Sequence, residues 1–394
     1  MSREVVILSG VRTAIGDYGG ALKDLSPSEL GARVVKEALS RSKADPNEIG
    51  HLVFGNVIHT ETRDMYVSRM VCINGGLPQS CGALTVNRLC GSGMQAIVSA
   101  AQTILLGDAE AAVGGGVESM SRGGYLLPAL RHGARMGDTS AIDMMVGALT
   151  DPFDTVHMGI TAENIAEKWK ITRAQQDEFS VESHRRAVNA IQKGHFKEQI
   201  LPIELKTRKG VVVFDTDEHP RADASLEGMT KLRAAFKKDN GTVTAGNASG
   251  INDGAAAIVM MEKAAAAKRG LKPMARLVSY GHAGVDPRFM GIGPVPAVKV
   301  ALERAGLKIG DIDVVESNEA FAAQACAVAK DLGFDPAKTN PNGGAVALGH
   351  PIGATGALLT VKAMYELQRT GGRYGLITMC IGGGQGIAAI IKRL

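Results

Sequence analysis

Cys90 lies in the run Thr85-Val86-Asn87-Arg88-Leu89-Cys90-Gly91-Ser92-Gly93, which reads as a short strand, a tight glycine turn and a helix opening at Met94. A thiol there sits near the positive end of a helix. A free thiol titrates near about 8.5, and a helix N-terminus or a nearby imidazolium favours the thiolate. Each unit of depression is worth about 1.4 kcal/mol toward the nucleophilic form. Cys90 is therefore a candidate nucleophile whose pKa is expected to be lowered.

Three later segments each place one polar or reactive side chain at a strand end followed by a turn. They are Val314-Val315-Glu316-Ser317-Asn318-Glu319-Ala320-Phe321, Asn342-Gly343-Gly344 through Gly349-His350-Pro351-Ile352-Gly353-Ala354-Thr355-Gly356, and Leu376-Ile377-Thr378-Met379-Cys380-Ile381-Gly382-Gly383-Gly384. Strand ends are where layered α/β folds put their chemistry. Two thiols, one imidazole and one carboxamide suit acyl transfer. One thiol carries the acyl group, the imidazole activates it, and the second thiol moves a proton. The glycines after Cys380 expose backbone N–H groups able to hold an oxyanion. Taken singly, His350 reads as structural and Cys380 as core, while Cys72, Cys81 and Cys326 read as small buried hydrophobes. The joint occurrence makes the case. Gly91-Ser-Gly93-Met-Gln-Ala96 also fits a dinucleotide fingerprint, with Glu118 as the acidic partner. That reading places the fingerprint late in the chain and leaves Cys90, His350 and Cys380 unexplained.

Elements must hold these groups, and the chain is long enough to build them. Its 394 residues, 45% hydrophobic and 21% charged, are those of a globular protein of two or three domains. A formal charge of +4 gives no basic face for nucleic acid. Five cysteines without Cys-x-x-Cys spacing argue against a disulfide framework or structural zinc. The chain runs from Met1 into the strand Val5-Val6-Ile7-Leu8 with no leader pattern, and no membrane span is read. A cytoplasmic location is expected.

Residues 1–118 alternate strands with helices. One helix, from Ser28 to Ser42, places Leu30, Val34, Val35, Ala38 and Leu39 on one face. Residues 119–248 break the rhythm and are expected to form an insertion covering a site, with helices over Thr161–Lys170 and Arg173–Lys193, the latter capped by Thr172. The apolar, glycine-rich stretch around 123–130 suits either a subunit contact or a loop tucked on its own domain. The turn-rich stretch from Lys206 to Lys238 closes the insertion. The rhythm returns at 249, giving a first half of 1–118 plus 249–270 and a second half of 271–394. A shift of 263 positions puts Val35, Lys36, Ala38 and Leu39 on Val298, Lys299, Ala301 and Leu302, and Gly93 on Gly356. Five extra residues place Gly114-Gly115-Gly116 on Gly382-Gly383-Gly384. The chain thus reads as one duplicated α/β unit, and two related helix N-termini face one pocket.

At these residues the sequence resembles the thiolase family, in its biosynthetic bacterial form of acetyl-CoA acetyltransferases and β-ketothiolases, most closely those of polyhydroxyalkanoate producers. The resemblance rests on Asn-Arg-Leu-Cys90-Gly-Ser-Gly, Asn318-Glu-Ala-Phe321, Gly349-His350-Pro-Ile-Gly and Cys380-Ile-Gly-Gly-Gly, with His157-Met158-Gly159 and Asn247-Ala-Ser249-Gly beside them. It implies two thiolase-fold halves in five layers, αβαβα, with an inserted loop domain. It further implies reversible condensation of an acyl-CoA with acetyl-CoA through a Cys90 thioester, His350 as base and Cys380 as the second acid–base group. Asn318, through a water, and His350 would form one oxyanion hole, and the N–H groups of Cys90 and Gly382 the other. Leu149, His157, Met158, Arg221, Ser249, Met290 and Phe321 match coenzyme A contacts. No metal or redox cofactor is implied, and a homotetramer is. The alternatives are a degradative 3-ketoacyl-CoA thiolase and a non-catalytic acyl-CoA-binding protein.

Overall fold

The first part of the chain runs β1 (Val5–Arg12), β2 (Gly16–Asp17), α1 (Pro27–Ser42), β3 (Ile49–Gly55), α2 (Val67–Asn74), β4 (Gly82–Val86), α3 (Ser92–Leu106) and β5 (Ala111–Ser119). An excursion follows, with β6 (Tyr125–Leu126), β7 (Ile142–Asp143), α4 (Met144–Ala148), α5 (Met158–Trp169), α6 (Arg173–Gln192), β8 (Ile203–Thr207), β9 (Gly210–Phe214) and α7 (Leu226–Thr230). The chain then completes β10 (Asn252–Glu262), α8 (Lys263–Lys268), β11 (Ala275–Gly284), α9 (Pro294–Ala305), β12 (Val314–Ser317), α10 (Ala322–Leu332), α11 (Ala345–Leu348), α12 (Thr355–Thr370), β13 (Tyr374–Ile381) and β14 (Gln385–Arg393). This computed structural model describes residues 3–208 and 210–394. Met1 and Ser2, at the start of the expected first half, and Lys209, in the expected turn-rich stretch, lie outside the described residues.

Local sequence explains the elements. Ser26 caps α1, Pro27 opens it, Lys43 closes it in a left-handed conformation, and Leu30, Val34, Val35, Ala38 and Leu39 form its buried face. The Thr172–Gln175 capping box starts α6 at the expected residue. Helix α5 begins three residues earlier than the apolar spacing suggests, because the His157 imidazole caps it by accepting from the Gly159 N–H. The 123–130 stretch does not tuck onto its own domain. Tyr125, Leu126 and Leu130 are 64%, 52% and 56% exposed.

Ten strands join in one sheet in the order β12-β13-β14-β11-β1-β10-β5-β3-β4, with β2 beside β10, while β6–β7 and β8–β9 pair as separate two-stranded ribbons. Among the described residues, the strands of the first half (β1–β5 and β10) pair with those of the second (β11–β14) where Val6 and Ile7 meet Arg276 and Ala275. The Ser9 hydroxyl donates to Ala38 O of α1 (2.6 Å), while a side chain at Gly10, on the other face, would meet Met364 of α12. Likewise Ser279 of β11 donates to Ala301 O of α9 (2.7 Å), while Tyr280 takes a bond from Gln102 of α3 (2.9 Å). The order α1, strands, α3 with α12, strands, α9 is a five-layered αβαβα fold. Strands covered on both faces are apolar throughout, and β1 is buried from end to end.

The duplication is sharper than the sequence suggests. His51 pairs with Ala112 and Phe54 with Gly115, and 263 positions on, Val314 pairs with Gly375 and Ser317 with Thr378. Both β1 and β11 carry a register shift, at Ile7–Ser9 and Leu277–Ser279. No five-residue allowance is needed, and the placement of Gly114–Gly116 on Gly382–Gly384 is corrected. Gly114–Gly116 lie inside β5, whereas Gly382–Gly384 form the turn between β13 and β14. The β5 glycines serve close approach: a Cβ on Gly114 would sit 2.7 Å from the Ile97 backbone of α3.

Candidate active site

The two central helices cross at their first turns. A Cβ at Gly93 of α3 would lie 2.8 Å from Ala357 N of α12, and one at Gly356 would strike Met94 of α3. These glycines are 263 positions apart, so the close approach of the two N-termini is built by the duplication itself. Cys90 sits in the turn before α3. Leu89 there adopts a left-handed φ of 45°, held by its N–H bonding to Asn87 Oδ1 (3.0 Å). The Ser92 hydroxyl accepts from Arg88 N (2.8 Å) and donates to Leu89 O (2.7 Å), which braces the turn.

His350 lies on the facing turn before α12. Its backbone N–H donates to Asn252 Oδ1 (2.9 Å), its Nδ1 lies 2.6 Å from Thr355 Oγ1, and its Nε2 lies 3.4 Å from Asn318 Nδ2. Asn318 follows β12, fully buried, with its N–H on Thr378 O (2.9 Å). Further along the turn, the Gly353 N–H donates to Glu118 Oε2 (2.8 Å). Cys380, near the end of β13, is fully buried. A side chain on Gly382, in the turn that follows, would touch Met158 and Leu89, and one on Gly91 would touch Ile381. The Cys90 and Cys380 turns are therefore interlocked.

The electrostatics correct one expectation. Burial pushes the Cys90 thiol up to about 11, against the pull of the Gly382 N–H and its own N–H, with the Glu118 charge adding to the rise. Desolvation outweighs the helix end. Burial drives His350 down to about 4, and it also raises Cys380, helped by the neighbouring Cys90. Both shifts favour the neutral thiol and the neutral imidazole over a preformed ion pair.

The residues matched to coenzyme A divide into three places. Met158, Met290 and Phe321 pack in one cluster with Cys380, and His157 stacks on Phe236 beside it (4.6 Å). The Ser249 N–H bonds to Ala320 O (3.0 Å), which fixes it next to Phe321. Leu149 packs in the cluster that holds Cys90. Arg221 stands apart and exposed, lining a cleft of about 290 Å³ with His184, His219, Asp223, Ser225 and Val346.

The dinucleotide reading fails. Glu118 is fully buried and accepts four N–H donors, from Asn56 Nδ2, Val57, Ile58 and Gly353, so no ribose reaches it. Its work is to hold the His350 turn against the other half. Asn252, Thr355 and Phe236 are site residues that sequence reasoning missed. Thr355 stood inside the quoted His350 segment, yet neither Asn252 nor Phe236 carries a local signal. Leu89–Leu106, a stretch apolar and long enough to cross a membrane, is essentially α3, packed between the sheet halves.

Fold and site together define a thiolase. The thiolase N-terminal domain profile matches residues 5–264 and the C-terminal domain profile matches residues 271–393, and the chain belongs to this family of enzymes. It is 68% identical to the beta-ketothiolase BktB of Cupriavidus necator over 394 residues, covering all of both chains. It is 50% identical over 401 residues to an acetyl-CoA acetyltransferase of Syntrophomonas wolfei, again covering both chains fully. Among solved structures, the human mitochondrial 3-ketoacyl-CoA thiolase in complex with CoA superposes with a TM-score of 0.96 at 44% identity, over 100% of this chain and 98% of that one.

Proposed function

We propose that this enzyme is an acyl-CoA:acetyl-CoA C-acyltransferase of the biosynthetic kind. It condenses acetyl-CoA, or a short acyl-CoA such as propionyl-CoA, with acetyl-CoA to give 3-ketoacyl-CoA and CoA. The carrying observation is the meeting of two helix N-termini that brings Cys90, His350 and Asn318 against the Cys380 turn. In the first half-reaction Cys90 Sγ attacks the thioester carbonyl as its proton passes to His350 Nε2. The departing CoA sulfur takes that proton back from His350, which leaves a neutral imidazole beside the Cys90 thioester. In the second, Cys380 gives its thiol proton to His350 and as thiolate removes the α-proton of acetyl-CoA, and the enolate attacks the acyl carbonyl. Cys90 leaves and recovers the proton held by His350. The Cys90 and Gly382 N–H groups face one oxyanion, and His350 with an Asn318-held water faces the other.

The thioester itself acidifies the α-proton, so no metal or redox cofactor enters the scheme. Leu149, His157, Met158, Arg221, Ser249, Met290 and Phe321 hold the coenzyme A thioester. The names of the close relatives favour synthesis over the degradative reading, and supply of short 3-ketoacyl-CoA for polyhydroxyalkanoate is the role proposed. The exposed apolar residues Tyr125, Leu126, Leu127 and Leu130 support a homotetramer, and the location proposed is cytoplasmic. Steady-state rates test the substrate class. Condensation with acetyl-CoA and propionyl-CoA should exceed thiolysis of long-chain 3-ketoacyl-CoA, and a preference for long chains would return the degradative reading.

A further inference from the structure

His350 can serve as a base only if its Nε2 is free of hydrogen, and a neutral imidazole carries its one proton on either nitrogen. Thr355 is the first residue of α12 and buried. Its hydroxyl donates to Pro351 O (3.0 Å), one helical turn back. That leaves the oxygen's lone pairs as its remaining bonding capacity, and His350 Nδ1 lies on them at 2.6 Å. On the other side of the ring, Nε2 faces the Asn318 amide NH2 at 3.4 Å, a donor that a second N–H would oppose. We propose that Thr355 is a positioning residue that holds His350 as the Nδ1–H tautomer, with the Nε2 lone pair turned to the Cys90 proton. The assignment rests on His350 being the base of the proposed reaction.

Two further contacts fix the backbone that carries the ring. Asn252 Oδ1 holds the His350 N–H (2.9 Å), and Glu118 holds the Gly353 N–H (2.8 Å), so both ends of the turn are tied to the other half. When Nε2 takes the thiol proton, the Nδ1–H to Oγ1 bond persists and becomes charge-assisted. The first half carries a hydroxyl at the matching position. Ser92, 263 positions before Thr355 and likewise the first residue of its helix, uses its hydroxyl to brace the turn holding Cys90.

The test measures Cys90 acylation directly, as the burst of CoA released in a single turnover with acetyl-CoA, together with KM, for Thr355→Val, Thr355→Ser and His350→Asn. Thr355→Val should acylate about 10–100-fold more slowly with KM for acetyl-CoA little changed, and Thr355→Ser should stay within about threefold of the parent. Nitrogen-15 shifts of the parent enzyme's histidines, with His350→Asn to assign the signal, should show a protonated Nδ1 and a bare Nε2. A protonated Nε2 overturns the proposal without need of any folded Thr355 variant. Wild-type acylation by Thr355→Val, with His350→Asn slow, overturns Thr355 alone. Wild-type acylation by His350→Asn overturns the base assignment on which it rests.

Discussion

The N-terminus of α3 and the N-terminus of α12 are copies of one structure put to different uses. Each opens with a hydroxyl, Ser92 or Thr355, followed by a glycine, Gly93 or Gly356, that lets the other helix come close. In the first half the hydroxyl braces a turn whose side chain is the thiol of Cys90. In the second, the residue in Cys90's register is Gly353, which has no side chain, and its N–H is spent on Glu118. His350 reaches the site from three residues further back. The duplication thus supplies the meeting of two helix ends, and in the proposed reaction divergence at single positions supplies a nucleophile on one and a base on the other. Asn318 and Cys380 also come from the second half. In the proposed reaction one half carries the acyl group and the other moves the protons.

That division makes the two halves separable by mutation. Cys380→Ser removes a proton-moving group of the second half and leaves the nucleophile intact. Carbon–carbon bond formation should fall by about 10²–10⁴-fold, while acyl transfer to Cys90 persists. Equal loss of both half-reactions, read from single-turnover CoA release against 3-ketoacyl-CoA formation, would dissolve the division. A smaller effect concerns the resting state. With Cys90 pushed up to about 11, its thiolate fraction should grow about tenfold per pH unit from 7 to 10. Inactivation by iodoacetamide should climb with it. A plateau near pH 7 would instead indicate a preformed thiolate–imidazolium pair and return the helix end to the dominant position.

Much of this was legible in the sequence because it is local. Strand-turn-helix patterning located Cys90, the reactive side chains at strand ends located Asn318 and Cys380, and the 263-position register exposed the duplication. The His350 segment, read as another strand end, instead follows the short helix α11 and reaches the site on the turn before α12. What escaped is non-local or a balance of opposed forces. Asn252 meets His350 across 98 positions of chain, and Phe236 reaches His157 from another loop. Periodicity carries no trace of such pairs. The pKa of Cys90 was misjudged because a helix end is visible in sequence and the depth of burial is not. The glycine run of β5 was misaligned because composition alone does not separate a mid-strand glycine that admits a helix from a turn glycine that offers its N–H.

In the proposed reaction the first half of the molecule carries the acyl group on Cys90 while the second half moves protons. Exposure of the parent enzyme, Cys90→Ala and Cys380→Ser to acetyl-labelled acetyl-CoA, followed by peptide mapping, tests it directly. Label should appear on Cys90 in the parent and in Cys380→Ser, and be absent from Cys90→Ala, which should not condense. Label on another residue, or condensation by Cys90→Ala at the parent rate, would contradict the account.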